Sequence, residues 1–156
     1  MLHHTFHESV TVGTAMLPQT ITAAAAVNGS TISIASGGDC ISFLVQTTNI
    51  ATDEVATIKF EETADLSTWT KIKDNDTPAN DLSFTIPNAG TGDENTTIAS
   101  VPFTKIATGS KWVRMVVTSA GTTINYNIAA SFVISGYASR PTATNDEVYA
   151  KCVSFV

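Results

Sequence analysis

Charge is scarce in this chain. Only 14% of its 156 residues are Asp, Glu, Lys or Arg, against 43% hydrophobic residues, so solubility must come from Thr, Ser and Asn on the outside of the fold. Lys and Arg number 8, scattered from Lys59 to Lys151, and the formal net charge is -6. A phosphate backbone would be repelled by such a surface, and nucleic acid is not an expected partner. Long apolar runs are missing as well: none approaches the roughly 20 residues of a membrane span, so no membrane partner is expected. The opening MLHHTFHESVTVG has no basic stretch followed by an unbroken apolar one. A secretory leader is therefore not expected, and folding in a cytoplasm is. Cysteine is limited to Cys40 and Cys152, far apart and without CxxC spacing, which in a reducing compartment are expected to be free, buried thiols.

The usual catalytic signatures are also missing. There is no G-x-S-x-G elbow and no P-loop, and the histidines are confined to His3, His4 and His7, so a Ser-His or Cys-His pair would have to recruit the N-terminal arm. His3 and His7 would share one face of a helix, a spacing metals use, but no third ligand accompanies them and a solvated or packing arm is the expectation. Asp74, Asn75, Asp76 and Asp81 gather oxygen donors of the kind calcium favours. The stretch lacks the glycine and distal glutamate of an EF-hand loop, and a plain solvated turn is expected. The pairs Asp53-Glu54, Glu61-Glu62 and Asp93-Glu94 are neighbours in sequence, and neighbours on a strand point to opposite faces. They read as solubilising charge rather than as the facing acids of a glycosidase. No enzyme activity, metal or cofactor is expected.

What the chain does have is period-two alternation. From Thr122 to Ser135, Ile124, Tyr126, Ile128, Ala130, Phe132 and Ile134 share one face of an extended strand. Lys111 to Thr118 turns Val113, Met115 and Val117 inward with Trp112 and Arg114 on the other side, and Val55 to Glu62 turns Ala56, Ile58 and Phe60 inward. Shorter strands are expected at Thr31–Ala35, Ile41–Thr47, Thr68–Lys73, Leu82–Ile86 and Ile98–Ile106. A further strand at Thr20–Ala26 would enter a hairpin at Asn28-Gly29. With turns at Gly37-Gly38-Asp39, Asp65 to Ser67, Asn88 to Asp93 and Ala120-Gly121, the pattern implies an all-β fold, an antiparallel β-sandwich or jelly roll of about eight strands. Residues 1–16 are expected to form an N-terminal arm, 17–140 the sandwich and 141–156 a C-terminal segment, because patterning weakens at both ends. Trp69 and Trp112 could stack on a sugar ring, although such residues more often cap a sandwich core.

Several stretches resemble known proteins. Thr57 to Ile72, TIKFEETADLSTWTKI, resembles a hairpin found in tailed-phage structural proteins and in discoidin-like, galactose-binding jelly rolls. Lys111 to Thr123, KWVRMVVTSAGTT, is similar to the strand that follows it in both groups. Asn127 to Pro141, NIAASFVISGYASRP, resembles a later strand of the phage proteins, and Gly37 to Thr47 is similar to an upstream one. Where the pattern has Asp-Gly, this chain has Asp65-Leu66. The resemblance covers about two thirds of the chain, and it implies a virion protein that decorates or cements an icosahedral head, with the major capsid shell as partner. A carbohydrate or receptor-binding module of a fibre or baseplate, and a head-tail or tail component, are the alternatives.

Cement proteins bridge neighbouring capsomers, where weak contacts gain avidity by repetition. The apolar residues of the two ends, Leu2, Phe6, Val10 and Val12, and Val148, Tyr149, Val153, Phe155 and Val156, are the expected interface. For the C-terminal group, a closing edge strand of the chain's own sandwich is an equal expectation. Self-association as a dimer or a trimer is expected as well, with the sequence choosing neither.

Overall fold

The computed structural model describes residues 10–48, 50–74, 80–86 and 95–136, and the backbone of 153–155. Among these, the strands are β1 (Val10–Ile21), β2 (Ala26–Asn28), β3 (Ile32–Ser33), β4 (Cys40–Thr47), β5 (Val55–Thr63), β6 (Thr70–Lys71), β7 (Ser83–Ile86), β8 (Asn95–Pro102), β9 (Trp112–Ala120), β10 (Tyr126–Ser135) and β11 (Val153–Phe155). The one helical turn among the described residues is a short 3-10 turn at Phe103–Lys105.

Two antiparallel sheets result. The first has the order β1-β10-β4-β8-β11; the second has β2-β9-β5-β6, with β3 also on β9 and β7 also on β5. Counting β2 with β3, and β6 with β7, as single interrupted edge strands leaves eight positions in two sheets of four, to which β11 is added. Successive positions pass from one sheet to the other except at the middle of the chain, where β5 and the β6/β7 position form a hairpin within the second sheet, and this is the connectivity of a jelly roll. The all-β sandwich expected from the alternation is what the chain forms.

Between the sheets lie the residues that alternation turns inward. Ile41, Phe43 and Val45 of β4 and Ile128, Ala130 and Ile134 of β10 face Ala56, Ile58 and Phe60 of β5 and Val113, Met115 and Val117 of β9, all buried. The rings of Phe43 and Phe60 meet across the two layers with centroids 4.9 Å apart, and Phe84 extends the stack 6.2 Å from Phe60. Burying a side chain of this size is worth about 1.5–3 kcal/mol, so this row is a large part of what opposes the entropy of ordering the chain.

The ends of the fold differ from the expected boundaries. Residues 10–16, assigned to a loose arm, are the first half of β1, paired with β10 from Val10 opposite Ser135 to Met16 opposite Ala130. Their alternation is hidden by register shifts on either side of Met16, which bury Ala15 and Met16 consecutively. Gly13 also has no side chain to show a pattern: the Phe132 ring lies over it, where an added Cβ would come within 2.6 Å. The strand expected at Thr20–Ala26 breaks into the end of β1, a turn closed by Ala25 N–H on Ala23 O, and β2. Three alanines there bring no large side chain to bury. At the other end, β11 pairs with β8, Val153 opposite Ile98 and Phe155 opposite Thr96, as the edge strand of the chain's own sandwich.

Asn28-Gly29 makes no hairpin. β2 and β3 run in the same direction along one strand, β9, and Gly29 lies at the break between them. The Gly29 N–H donates to Met115 O and the Ser30 N–H to Ala15 O, at 2.9 and 2.7 Å. A Cβ on Gly29 would stand 2.5 Å from Ala15 O, so glycine is what lets β1 approach the second sheet here. The strand expected at Ile98–Ile106 starts earlier, at Asn95, and stops at Pro102, after which the chain coils into the 3-10 turn.

Candidate functional site

The outer face of the second sheet carries charge that is satisfied within the chain. Glu61 lies opposite Arg114 on β5 and β9, and the guanidinium donates to its Oε2 through Nε at 2.9 Å and through Nη2 at 2.6 Å. The same guanidinium sits 4.0 Å over the Trp69 ring, a cation–π contact that closes the hairpin between β5 and β6. Asp81 receives three lysines, Lys73 at 2.8 Å, Lys71 at 3.1 Å and Lys59 at 3.4 Å. Of the four residues considered for calcium, Asp81 is thus already neutralised, Asp74 meets the buried Lys105 at 3.3 Å, and Asn75 and Asp76 lie outside the described residues. The tryptophans do not cap the core. Trp112 alternates with inward Val113, and Trp69 turns out to meet Arg114; both are half-buried on the outer face. For sugar stacking, one face of Trp69 is already occupied by the guanidinium.

The adjacent acids do separate to opposite faces. Glu62 points inward, buried, and accepts the Ala107 N–H at 2.7 Å, while Glu61 faces out. Glu54 is buried and accepts N–H groups from Ala51 and Asn125, whereas exposed Asp53 accepts from the Thr122 hydroxyl. These are structural carboxylates: backbone N–H groups take up the oxygens of Glu54 and Glu62, Arg114 an oxygen of Glu61 and the Thr122 hydroxyl one of Asp53, and among the described residues no pair of these neighbours shares a face. Burial raises the Cys40 thiol pKa, which keeps it out of the reactive thiolate form. No group of three or more His, Cys, Asp or Glu stands together among the described residues, nor is any described helix long and apolar enough to cross a membrane. His3, His4 and His7, Asp93-Glu94 and Cys152 lie outside those residues.

At the tip of the β5–β6 hairpin, Asp65 replaces the missing glycine chemistry with side-chain hydrogen bonds. Its Oδ1 accepts the N–H groups of Ser67 and Thr68 at 2.9 and 3.0 Å, and the Thr63 hydroxyl oxygen accepts those of Asp65 and Leu66. Leu66, exposed, takes the left-handed φ of 65° that the related pattern gives to glycine. Leu66→Gly is expected to raise stability by about 1 kcal/mol, since a branched residue held in that region costs roughly 1–2 kcal/mol and glycine returns part of this as chain entropy. A urea titration checks it: an unchanged or lower midpoint would contradict the assignment of strain.

Two of these carboxylates also set the acid stability. The Thr68 and Ser67 N–H groups hold the Asp65 carboxyl well below the usual carboxylate range, and Lys73, then Lys71, do the same for Asp81. A pKa lower in the folded than in the unfolded chain favours the fold above about pH 3.9, and that contribution is lost as pH falls below this value. The melting temperature is therefore expected to drop steeply below pH 4, and less steeply in Asp65→Asn and Asp81→Asn. Equal acid slopes in all three proteins would refute the linkage.

The outer face of the first sheet has a different character. β1, β4, β8, β10 and β11 contain no Asp, Glu, Lys, Arg or His. Cross-strand pairing puts Val12 beside Val133, then Ser42 and Ser100, whose hydroxyls meet at 2.8 Å. The next row runs Thr14, Ser131, Leu44 and Ile98. Val12 is 61% exposed, Leu44 37% and Ile98 36%. Beyond them, Pro18, Gln46, Thr96, Asn127 and Ala129 line a shallow groove of about 230 Å³. Of the expected interface residues, Val12 belongs to this face and half-buried Val10 flanks it. Val153 and Phe155 lie in its edge strand, while Leu2, Phe6, Tyr149 and Val156 are outside the described residues. Leu44, Ile98 and Val133 were not singled out from the sequence. The available signal was four strands without one charged residue.

This fold has counterparts in virus particles. Chains in the solved structures of infectious bursal disease virus superpose on it: for the Gx strain the TM-score is 0.60 at 7% identity over 85% of this chain, and for the Gt strain 0.54 at 11% over 80%. At such identities the likeness is one of fold. The chain spans about a third of the length of those chains, 33% and 32%. No family model and no curated protein matches the sequence.

Proposed function

We propose that this chain is a structural protein of a virus particle, a decoration or cement protein that lies on the outer capsid shell and bridges neighbouring capsomers. The observation that carries the reading is a jelly roll of the kind found in virus chains, joined to a whole sheet face without charge. Jelly rolls serve in capsids and lectins alike, and what separates the two uses is the surface. A lectin needs convergent polar groups around an open aromatic face. Here the aromatic with the best position, Trp69, is engaged by Arg114, which is itself paired with Glu61. A protein of a shell needs broad, weakly polar contact area through which subunits, its own copies included, can associate and symmetry can repeat the contact. The similarity of Thr57 to Ile72, Lys111 to Thr123 and Asn127 to Pro141 to tailed-phage structural proteins supports a phage head as the setting, with the major capsid protein as partner.

Imaging particles assembled with and without the protein tests the reading. Repeated extra density on the outside of the shell is expected, and density confined to a tail, fibre or baseplate would overturn the cement assignment. Leu2 and Phe6, with Tyr149 and Val156, supply the ends by which it holds the shell, carried by the strands of Val10 and Val12 and of Val153 and Phe155 at the two edges of the first sheet. Removing residues 149–156 is expected to lower occupancy on particles by about tenfold or more, because the loss of one of several joint contacts is amplified by avidity. Full occupancy by the truncated, folded chain would exclude the C-terminal residues from the contact.

A further inference from the structure

The charge on this molecule is segregated by sheet. Among the described residues, every charged residue in a strand belongs to the second sheet: Lys59, Glu61 and Glu62 on β5, Lys71 on β6 and Arg114 on β9. An outer sheet face that meets water normally alternates apolar-in with polar or charged-out. On the first sheet the outward positions are instead Val, Leu, Ile, Ala, Ser, Thr, Asn and Gln, with Val12, Leu44 and Ile98 open to solvent. Leaving this many aliphatic and hydroxyl groups side by side, without one Lys or Glu among them, is a composition of interface cores rather than of exposed sheets.

We propose that this face is a homodimer interface, on which a second copy of the chain docks its own first sheet about a twofold axis. Two features select a second copy over a foreign partner. The first is electrostatic. Two chains of net charge -6 repel each other, and among the described residues the strands of the first sheet are the surface through which they can meet without one strand's ionised group opposing another's. A charged partner would find no counter-charge there. The second is size. Four strands about 4.8 Å apart, β1, β10, β4 and β8, each at least eight residues long, give a footprint of roughly 19 by 27 Å, on the order of 510 Å² before side-chain relief. Side chains standing out from the sheet add accessible surface to this flat area and bring it toward the roughly 800 Å² per partner of a stable interface. A twofold axis makes the same patch serve both subunits, so Leu44 and Ile98 at its centre would pack against their own equivalents or each other. The charged face of the second sheet, with the β5–β6 hairpin, then points away from the dimer on both sides.

The dimer can be tested on the isolated full-length chain, apart from any virus particle, so its failure and the failure of the capsid reading are distinguishable. Sedimentation equilibrium is expected to show a dimer at micromolar concentration. Leu44→Lys and Ile98→Lys are expected to weaken it by about 100-fold or more, because each places two unpaired charges in a desolvated contact. Ser131→Glu, at an exposed position beside Leu44, also places an unpaired charge in the contact, of the opposite sign, with no loss of packing in the monomer, and is expected to dissociate the dimer while melting as a folded protein. Leu66→Lys, on the hairpin of the other sheet, is expected to leave the dimer intact. A wild-type chain that stays monomeric to about 100 μM, or forms trimers, would overturn the proposal. So would a Ser131→Glu chain that dimerises like the wild type, or dissociation caused by Leu66→Lys.

Discussion

Phe43→Ala is expected to cost the fold about 4 kcal/mol, near the upper part of the range for emptying a large buried aromatic site. Phe43 is fully buried at the middle of β4, in register with Ala99 on one side and Phe132 on the other, and stacked on Phe60 of the opposite sheet at 4.9 Å. Its neighbours sit on strands held by ladders on both edges, so the walls have little freedom to close over the void. Small domains have only about 5–15 kcal/mol of stability in all, and the substitution should leave a chain that melts far earlier or fails to fold. Urea unfolding measures it directly. A loss below about 1.5 kcal/mol would mean that the two sheets can repack at this level, against the rigid sandwich described above.

The second large effect is expected from a carboxylate. Glu54→Ala should destabilise by about 3 kcal/mol, because hydrogen bonds to a charged group are worth roughly 1.5–3 kcal/mol and the alanine leaves two backbone donors without an acceptor. Glu54 Oε2 holds the Ala51 N–H at 2.9 Å and Oε1 the Asn125 N–H at 2.8 Å, which ties the approach to β5 to the approach to β10. Gly121 packs against the same corner with φ of 146°, its Cα position leaving no room for a side chain beside Asp53 O. Glu54→Gln keeps one amide oxygen and should lose about half as much. If Glu54→Ala and the wild type unfold at the same denaturant concentration, the carboxylate does not act as the corner's clamp.

The central strands were legible because nothing interrupts their alternation. β5, β9 and β10 each place inward the residues that period two selects, and the expected outward positions of Trp112 and Arg114 hold. β1 was not legible: bulges at Met16, a glycine under Phe132 and a proline within the strand erase the pattern, and only its pairing with β10 defines it. Asn28-Gly29 carried a hairpin signal that close contact between β1 and β9 overrides. Trp69 was read as a core residue because large aromatics usually are; the arginine that draws it outward lies 45 residues away in sequence, at Arg114. The docking face was visible only as an absence. Neighbouring strands without charge in the sequence become one surface only once β1, β10, β4 and β8 are known to lie side by side. The carboxylates that looked like solubilising charge include Glu54 and Glu62, which are buried and bind backbone N–H groups. Sequence gives their opposite-face geometry but not their partners.

Counting the copies of this chain in purified virus particles, by quantitative mass spectrometry against the shell subunit, tests the central claim most directly. The account predicts a fixed, simple ratio to the shell subunit, retained through washing and lost when the charge-free face and the terminal segments are altered together. Particles that contain none of the chain, or only a trace that washing removes, would contradict it.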